Sequence, residues 1–291
     1  LLAKEKFKDG IIFTSRETHY SIFKAANYYN LELNIIESDI MGEINYNRFE
    51  EEILKNKDKN IIININIGTT VKGAVDNIDK ICTILEKNKI KRENFYIHCD
   101  GALFALMIPF IENIPQLSFD YPIDSISVSG HKMLGCPMPC GIIVTRKENI
   151  SRLEKKIDYL NSLDTTIMGS RNGQTSLYLW YGLRKKGYEG IKKDVFESIN
   201  RAKYLHNQMQ EKNILSFLNN NSSTVIFEKP NNIDFIKKWQ LACEDNIAHI
   251  IVMPNITKEK LDQFIDEFII CIKEYGNITI EENSQLSMLK K

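Results

Sequence analysis

Four short segments in the first half of the chain gather residue types that can do chemistry. Thr18-His19-Tyr20-Ser21 follows the run Ile11 to Thr14, and Gly68-Thr69-Thr70 follows Ile61 to Ile67. His98-Cys99-Asp100-Gly101-Ala102 closes the run Phe95 to Cys99, and Ser129-Gly130-His131-Lys132 closes Ser125 to Ser129. Each run is rich in β-branched or aromatic residues and reads as a strand. If the strands lie parallel in one sheet, all four segments reach the same edge, where such sheets hold their ligands. A carboxylate, an amine, an imidazole and several hydroxyls at one edge suit a cofactor better than a simple hydrolytic site.

Each residue carries a bland reading beside the chemical one. Asp100 ends an apolar run, and a half-buried carboxylate is costly unless it meets a positive partner. A protonated ring nitrogen is such a partner; a helix cap or an internal salt bridge is the alternative. Lys132 could be a desolvated amine nucleophile able to form a Schiff base, or an ordinary surface lysine. Ser129 and His131 beside it are suited to phosphate oxygens. His19 could stack on an aromatic ring or simply satisfy local structure, and Gly68-Thr69-Thr70 could be a tight turn with a helix cap. His131, Cys136 and Cys140 lie close in sequence, but one Cys-x3-Cys containing Pro137 and Pro139, without a second pair, is a poor zinc pattern. No metal is expected. Gly169-Ser170-Arg171-Asn172-Gly173 is either a turn or a place where an arginine and a hydroxyl meet an anion.

The elements that must position these groups can be read from periodicity. Helical spacing at Ile22, Ala25, Ala26 and Tyr29, at Phe49, Ile53 and Leu54, and at Ile78, Cys82 and Leu85 alternates with the strand runs. Asp76 is the N-cap candidate of the third helix. This alternation predicts an α/β fold with a mostly parallel sheet covered by helices on both faces. After about residue 149 helices dominate, over 151–159 and 177–210. The weaker strands 224–227 and 249–252 follow, flanked by helices over 235–242 and 258–272. The expected organisation is a large domain over 1–150, a helical connection over 151–210, a small C-terminal α/β domain over 211–280 and a loose tail over 281–291.

Composition narrows the classes. The chain has 291 residues, 43% hydrophobic and 26% charged, with 38 basic and 38 acidic side chains. Net neutrality argues against nucleic-acid binding, and no apolar run approaches the ~20 residues of a membrane span. Six scattered cysteines without a disulfide pattern favour a reducing, cytoplasmic compartment. The chain opens Leu1-Leu2-Ala3-Lys4 and reaches a strand pattern almost at once. Either it is naturally short or an upstream piece exists.

Taken together, TSRETHYSIFKAA, NINIGTTVKGAVDNID, FYIHCDGALFALMIPF, SISVSGHKMLGCPMPCGI, TIMGSRNG, SSTVIFEKP and KWQLACEDNIAHIIVMPN resemble the pyridoxal-phosphate-dependent group II amino-acid decarboxylases of fold type I. The likeness is strongest to the branch holding plant serine decarboxylases and bacterial histidine decarboxylases. TIMGSRNG and IAHIIVMPN lean toward the serine enzymes. The resemblance implies that Lys132 carries pyridoxal phosphate and that Asp100 pairs with the ring nitrogen. Ala102 packs under the ring, and His19 stacks on its other face and touches substrate. Ser129 and His131 lie near the phosphate and Thr69 near the ring. Ser170 and Arg171 reach a neighbouring subunit's site in a homodimer or higher homo-oligomer. The implied activity is decarboxylation of L-serine to ethanolamine. The alternatives are histidine as substrate, or a non-catalytic relative that binds a full-length partner. The family's Gly-Gly-Thr segment belongs before the first strand, and this sequence starts after that point, so the phosphate cup is expected to be incomplete in these 291 residues.

Overall fold

The computed structural model describes residues 1–276; the expected tail over 281–291 lies outside them. Two compact units divide the chain. The first comprises residues 1–39, 43–68 and 75–187, and the second 40–42, 69–74 and the described residues from Tyr188 on.

The first unit begins with the short helix α1 (Leu2–Lys6), then β1 (Ile11–Ser15), α2 (Tyr20–Tyr28), β2 (Glu32–Ile36), α3 (Tyr46–Lys55), β3 (Ile61–Asn66), α4 (Ile78–Lys87) and β4 (Phe95–Asp100). β5 (Ser125–Ser129), β6 (Gly141–Thr145), α5 (Lys147–Ser151) and the hairpin β7 (Lys155–Ile157) with β8 (Ser162–Asp164) follow. One six-stranded sheet runs in the order β2-β1-β3-β4-β5-β6. All its neighbours are parallel except β5 and β6. The expected mostly parallel α/β sheet is therefore present. Strand alternation sets its two faces. Phe13, Ile63, Ile65, Ile97 and Cys99 are fully buried on one, and the buried faces of α3 (Phe49, Ile53) and α4 (Ile78, Ile81, Leu85) belong to the same unit. On the other face Ile12, Ile62 and Tyr96 form a cluster with Phe7 and Ala26, and Leu2, Ala3 and Ile22 of the two N-terminal helices pack against it.

Two local readings change. Asp76 does not cap α4; Asn77 does, its side chain accepting the Lys80 N–H. Asp76 is instead buried. Its Oδ2 accepts from the Asn66 backbone N–H (2.7 Å) and Nδ2 (3.0 Å), and its Oδ1 accepts from the Ile44 N–H (2.8 Å). The helix expected over 151–159 is the end of α5 followed by the β7–β8 hairpin. Its turn places Asn161 at φ 46°, a left-handed geometry that asparagine tolerates.

Burial pushes the Asp76 carboxyl up to about 7 despite its three donors. A carboxyl raised in the fold stabilises it in the protonated form. That stability is complete below the unfolded value near 4 and is lost as pH rises through about 7. The stability of the native chain minus that of Asp76→Asn should therefore fall by about 4 kcal/mol between about pH 4 and pH 8. Urea unfolding measured across that range checks this, and a flat difference contradicts it.

The helix α6 (Gly173–Glu211) is broken at Gly187, whose φ of 58° and ψ of −172° only glycine adopts readily. The boundary between the units falls there. The second unit contains β9 (Ser216–Leu218), β10 (Thr224–Glu228), α7 (Ile233–Trp239), β11 (Ala242–Glu244), β12 (Ile247–Ile251) and α8 (Lys258–Tyr275). Its sheet is antiparallel, ordered β11-β12-β10-β9. The apolar stripe of α8 (Leu261, Phe264, Ile265, Phe268) joins Val225 and Phe227 of β10, Phe235 of α7 and Leu205 and Met209 of α6 in one core. Asn219 Nδ2 ties segments 40–42 and 69–74 into this unit by donating to the carbonyls of Met41 (2.9 Å) and Lys72 (2.8 Å).

Among the described residues no helix is long and apolar enough to cross a membrane.

Candidate active site

Adjacent parallel strands bring Asp100 and Lys132 to the same edge. Asp100 is the last residue of β4 and stands opposite Ser127 of β5. Two hydrogen bonds hold the strand ends together: the Gly101 N–H donates to the Ser127 carbonyl (3.1 Å) and the Ser129 N–H to the Ala102 carbonyl (2.9 Å). The chain then turns, the Lys132 N–H closing on the Ser129 carbonyl at 3.1 Å. Gly130 anchors this turn to the loop that follows, donating to the Cys140 carbonyl (2.8 Å) and accepting from the Cys136 N–H (3.0 Å). A Cβ at Gly130 would stand 3.2 Å from Cys140 Sγ, so the close approach favours glycine. Lys132 lies three residues beyond Ser129, the last residue of β5, which fixes where the amine can reach.

The side chains at this edge are only partly committed. Asp100 is half-buried; its Oδ1 accepts from Ser127 Oγ (3.0 Å) and from the Ala102 N–H (3.4 Å). Its Oδ2 has no partner among the described residues. The Lys132 amine is likewise half-buried and forms no hydrogen bond or ion pair among them. Ala102 beside Asp100 presents only a methyl group. His131 is exposed, and its Nδ1 accepts the Cys140 N–H at 3.0 Å. A ring whose Nδ1 is an acceptor carries its proton on Nε2, which is then a donor.

His19 arrives from β1, two strands away from β4, as the N-cap of α2. Its imidazole feels both groups. Burial is the main influence holding its pKa below the usual histidine value. The Asp100 carboxylate opposes that lowering, and the Lys132 and Lys24 amines reinforce it. The segment before it is fixed from below by a buried polar network. Thr18 Oγ1 donates to Asn66 Oδ1 (2.9 Å), Asn66 Nδ2 reaches Ser15 Oγ (3.1 Å) and Asp76, and Asn64 Nδ2 donates to Thr14 Oγ1 (3.1 Å). The strand pattern of 61–67 does not by itself predict this network. Two asparagines at alternate positions of an isoleucine run were its signal, since both fall on one face.

The remaining candidates are placed differently. Thr69 is buried in the second unit's segment 69–74, where its N–H donates to the Ala74 carbonyl (2.9 Å) and its Oγ1 accepts the Ala74 N–H (3.0 Å). Ser170 is exposed. Arg171 folds back on its own loop, bonding Asp164 (2.9 Å), Thr166 and the Met168 carbonyl. Among the described residues no cluster of three His, Cys, Asp or Glu side chains could hold a metal ion.

A cavity of about 670 Å³ opens on the face of the sheet that carries Ile12 and Ile62. Its walls include Leu1, Ile22, Asn64, His98 and Ile143, but not Lys132, Asp100 or His19. It is mainly apolar; Arg171 also lines it, but the amine, carboxylate and imidazole delivered to the strand edge do not.

Residues 5–228 match the pyridoxal-dependent decarboxylase conserved domain. The chain belongs to that family. It is 52% identical over 267 residues to serine decarboxylase 1 of Oryza sativa subsp. japonica, covering 92% of this chain and 55% of that protein. It is 46% identical over 264 residues to a histidine decarboxylase of Solanum lycopersicum (91% and 64% covered) and 39% identical over 272 residues to one of Morganella morganii (92% and 71%). The chain thus spans 55% to 60% of the length of the three rice serine decarboxylases it matches. Among solved structures, L-methionine decarboxylase of Streptomyces sp. 590 superposes with a TM-score of 0.83 at 23% identity, over 94% of this chain and 76% of that one. Lactobacillus brevis glutamate decarboxylase superposes with a TM-score of 0.79 at 19% identity, over 94% and 68%. The family and the fold type I architecture agree with the expectation from sequence, and pyridoxal phosphate is the cofactor from which the family takes its description.

Proposed function

We propose that the chain is the cofactor-binding and catalytic part of a pyridoxal-phosphate-dependent amino-acid decarboxylase whose substrate is L-serine, released as ethanolamine and CO2. The observation that carries the reading is the delivery of Asp100 and Lys132 to one edge by neighbouring strands, with His19 in the electrostatic field of both. The free Oδ2 of Asp100, the uncommitted amine of Lys132 and the small side chain of Ala102 fit a flat, positively charged heterocycle. Lys132 would hold the cofactor covalently, Asp100 would keep the ring nitrogen protonated, and Ala102 would pass beneath the ring. Ser129 and the Nε2–H of His131 would meet the phosphate. His19 would cover the ring's other face and contact substrate. The cofactor supplies an electron sink for the bond between Cα and the departing carboxylate.

Serine is favoured over histidine by the higher identity to the rice enzymes. Side-chain selection depends on pocket shape. CO2 release assayed over a panel of free amino acids should show serine preferred by at least about tenfold in kcat/KM. Preference for histidine would replace serine as the substrate; release from none of them would sink the catalytic reading.

The active form is a homodimer or higher homo-oligomer in a reducing, cytoplasmic setting. The segment around the β7–β8 hairpin and the first turns of α6 exposes Tyr159, Leu163, Ile167, Met168, Leu177 and Trp180, each more than half accessible. So many exposed apolar side chains on one stretch of chain call for a covering partner, and a second copy would bring Ser170 and Arg171 to a neighbouring site. All six cysteines are free thiols. Sedimentation equilibrium should give at least a dimer; a monomer at micromolar concentration would contradict this arrangement.

A further inference from the structure

The imidazole of His19 is tied to one neighbour in a way that settles its proton. Its Nδ1 lies 2.8 Å from the hydroxyl of Ser21 and 3.3 Å from the Ser21 backbone N–H. The hydroxyl can donate or accept, but the backbone N–H can only donate. A proton on Nδ1 would face that N–H directly and leave it without an acceptor at the start of α2. A lone pair on Nδ1 serves both groups, as the side chain of an N-cap residue does.

We propose that Ser21 is a positioning residue that locks His19 in the Nε2–H tautomer, so that the ring keeps a hydrogen-bond donor on the edge away from α2. Histidine is an unusual N-cap, and the pattern His-x-Ser supplies what it lacks: a hydroxyl that donates to the same nitrogen. The neighbours agree with a neutral ring. Burial and the nearby Lys132 and Lys24 amines lower its pKa, while Asp100 alone among the named charges acts in the opposite sense. The Tyr20 ring, 4.2 Å away between centroids and tilted by 39°, limits rotation about the side chain. Ser21 itself is exposed, so its replacement leaves the core untouched.

The catalytic consequence rests on the function proposed above, but the tautomer does not. The test is therefore made first on the full chain without cofactor, labelled with 15N in histidine. The protein has five histidines, and the His19 signals are assigned by their loss in His19→Gln. Imidazole 15N shifts in the native chain should show Nε2 protonated and Nδ1 bare at neutral pH. Ser21→Ala should move the two shifts toward each other, as in a tautomer mixture, and Ser21→Thr should restore the native pattern. A protonated Nδ1 in the native chain, or native shifts in Ser21→Ala, would overturn the proposal. In the holoenzyme, Ser21→Ala should lower kcat by about tenfold with KM changed less than about twofold, and Ser21→Thr should recover most of it. A purely structural cap would lower the melting temperature without moving the 15N shifts. Absence of turnover in every variant, with the shifts as expected, would count against the decarboxylase reading and leave the tautomer lock standing.

Discussion

Replacing Lys132 by alanine should abolish the visible absorbance that pyridoxal phosphate gains on binding and reduce turnover by more than about a thousandfold. The size of the effect follows from what no other residue at this edge can supply. Asp100, Ser127 and Ser129 are acceptors or hydroxyls, and the two imidazoles already use a ring nitrogen to accept a backbone N–H. Among the described residues at the ends of β4 and β5, Lys132 alone brings an uncommitted primary amine. Because that amine has no partner among the described residues, its loss should cost the fold no more than about 0.5 kcal/mol. A thermal melt within a few degrees of the native chain, together with lost absorbance, separates removal of the chemistry from removal of the structure. A variant that keeps the absorbance and the turnover would refute the assignment.

Asp100→Asn should be nearly as severe, for a different reason. The amide keeps the size of the carboxylate, and its oxygen can still accept from Ser127 Oγ and the Ala102 N–H, so the strand ends stay in place. What disappears is the negative charge that would hold a proton on the ring nitrogen. Removing one preorganised charge from such a site costs about 10²–10³ in kcat, and cofactor attachment through Lys132 should survive. The His19 imidazole should respond as well. Asp100 is the named group raising its pKa, so the substitution should lower that value further. A kcat within about threefold of native would contradict the role given to this carboxylate.

The sequence showed the sheet and its chemical edge because both rest on local signals. Runs such as Ile61 to Ile67 alternate with helical spacing, and the polar residues that interrupt them occur where strands stop. What it hid depends on contacts distant along the chain. Asp76 stands where an N-cap belongs, and only the approach of Ile44 and Asn66 turns it into a buried acceptor. The β7–β8 hairpin was masked by Lys155, Lys156 and Asp158, which suit an exposed helix equally well. Gly187 reads as one glycine in a helical pattern, and its positive φ became visible only in three dimensions. Thr69 closes its own loop in the second unit, a role that its neighbours Gly68 and Thr70 permitted but did not require. Ser21 belongs to one of the four chemical segments, but its bond to the His19 Nδ1 depends on the turn that starts α2 and is visible only in three dimensions.

The central claim is that the amine at 132 and the carboxylate at 100 hold opposite ends of one heterocycle. The most direct test is the 15N chemical shift of pyridoxal phosphate labelled at its ring nitrogen and bound to the full chain. The ring nitrogen should be protonated in the native protein and unprotonated in Asp100→Asn, with the cofactor still attached to Lys132 in both. The same shift in the two proteins would mean that Asp100 does not face that ring and would contradict its pairing with Lys132 across one heterocycle.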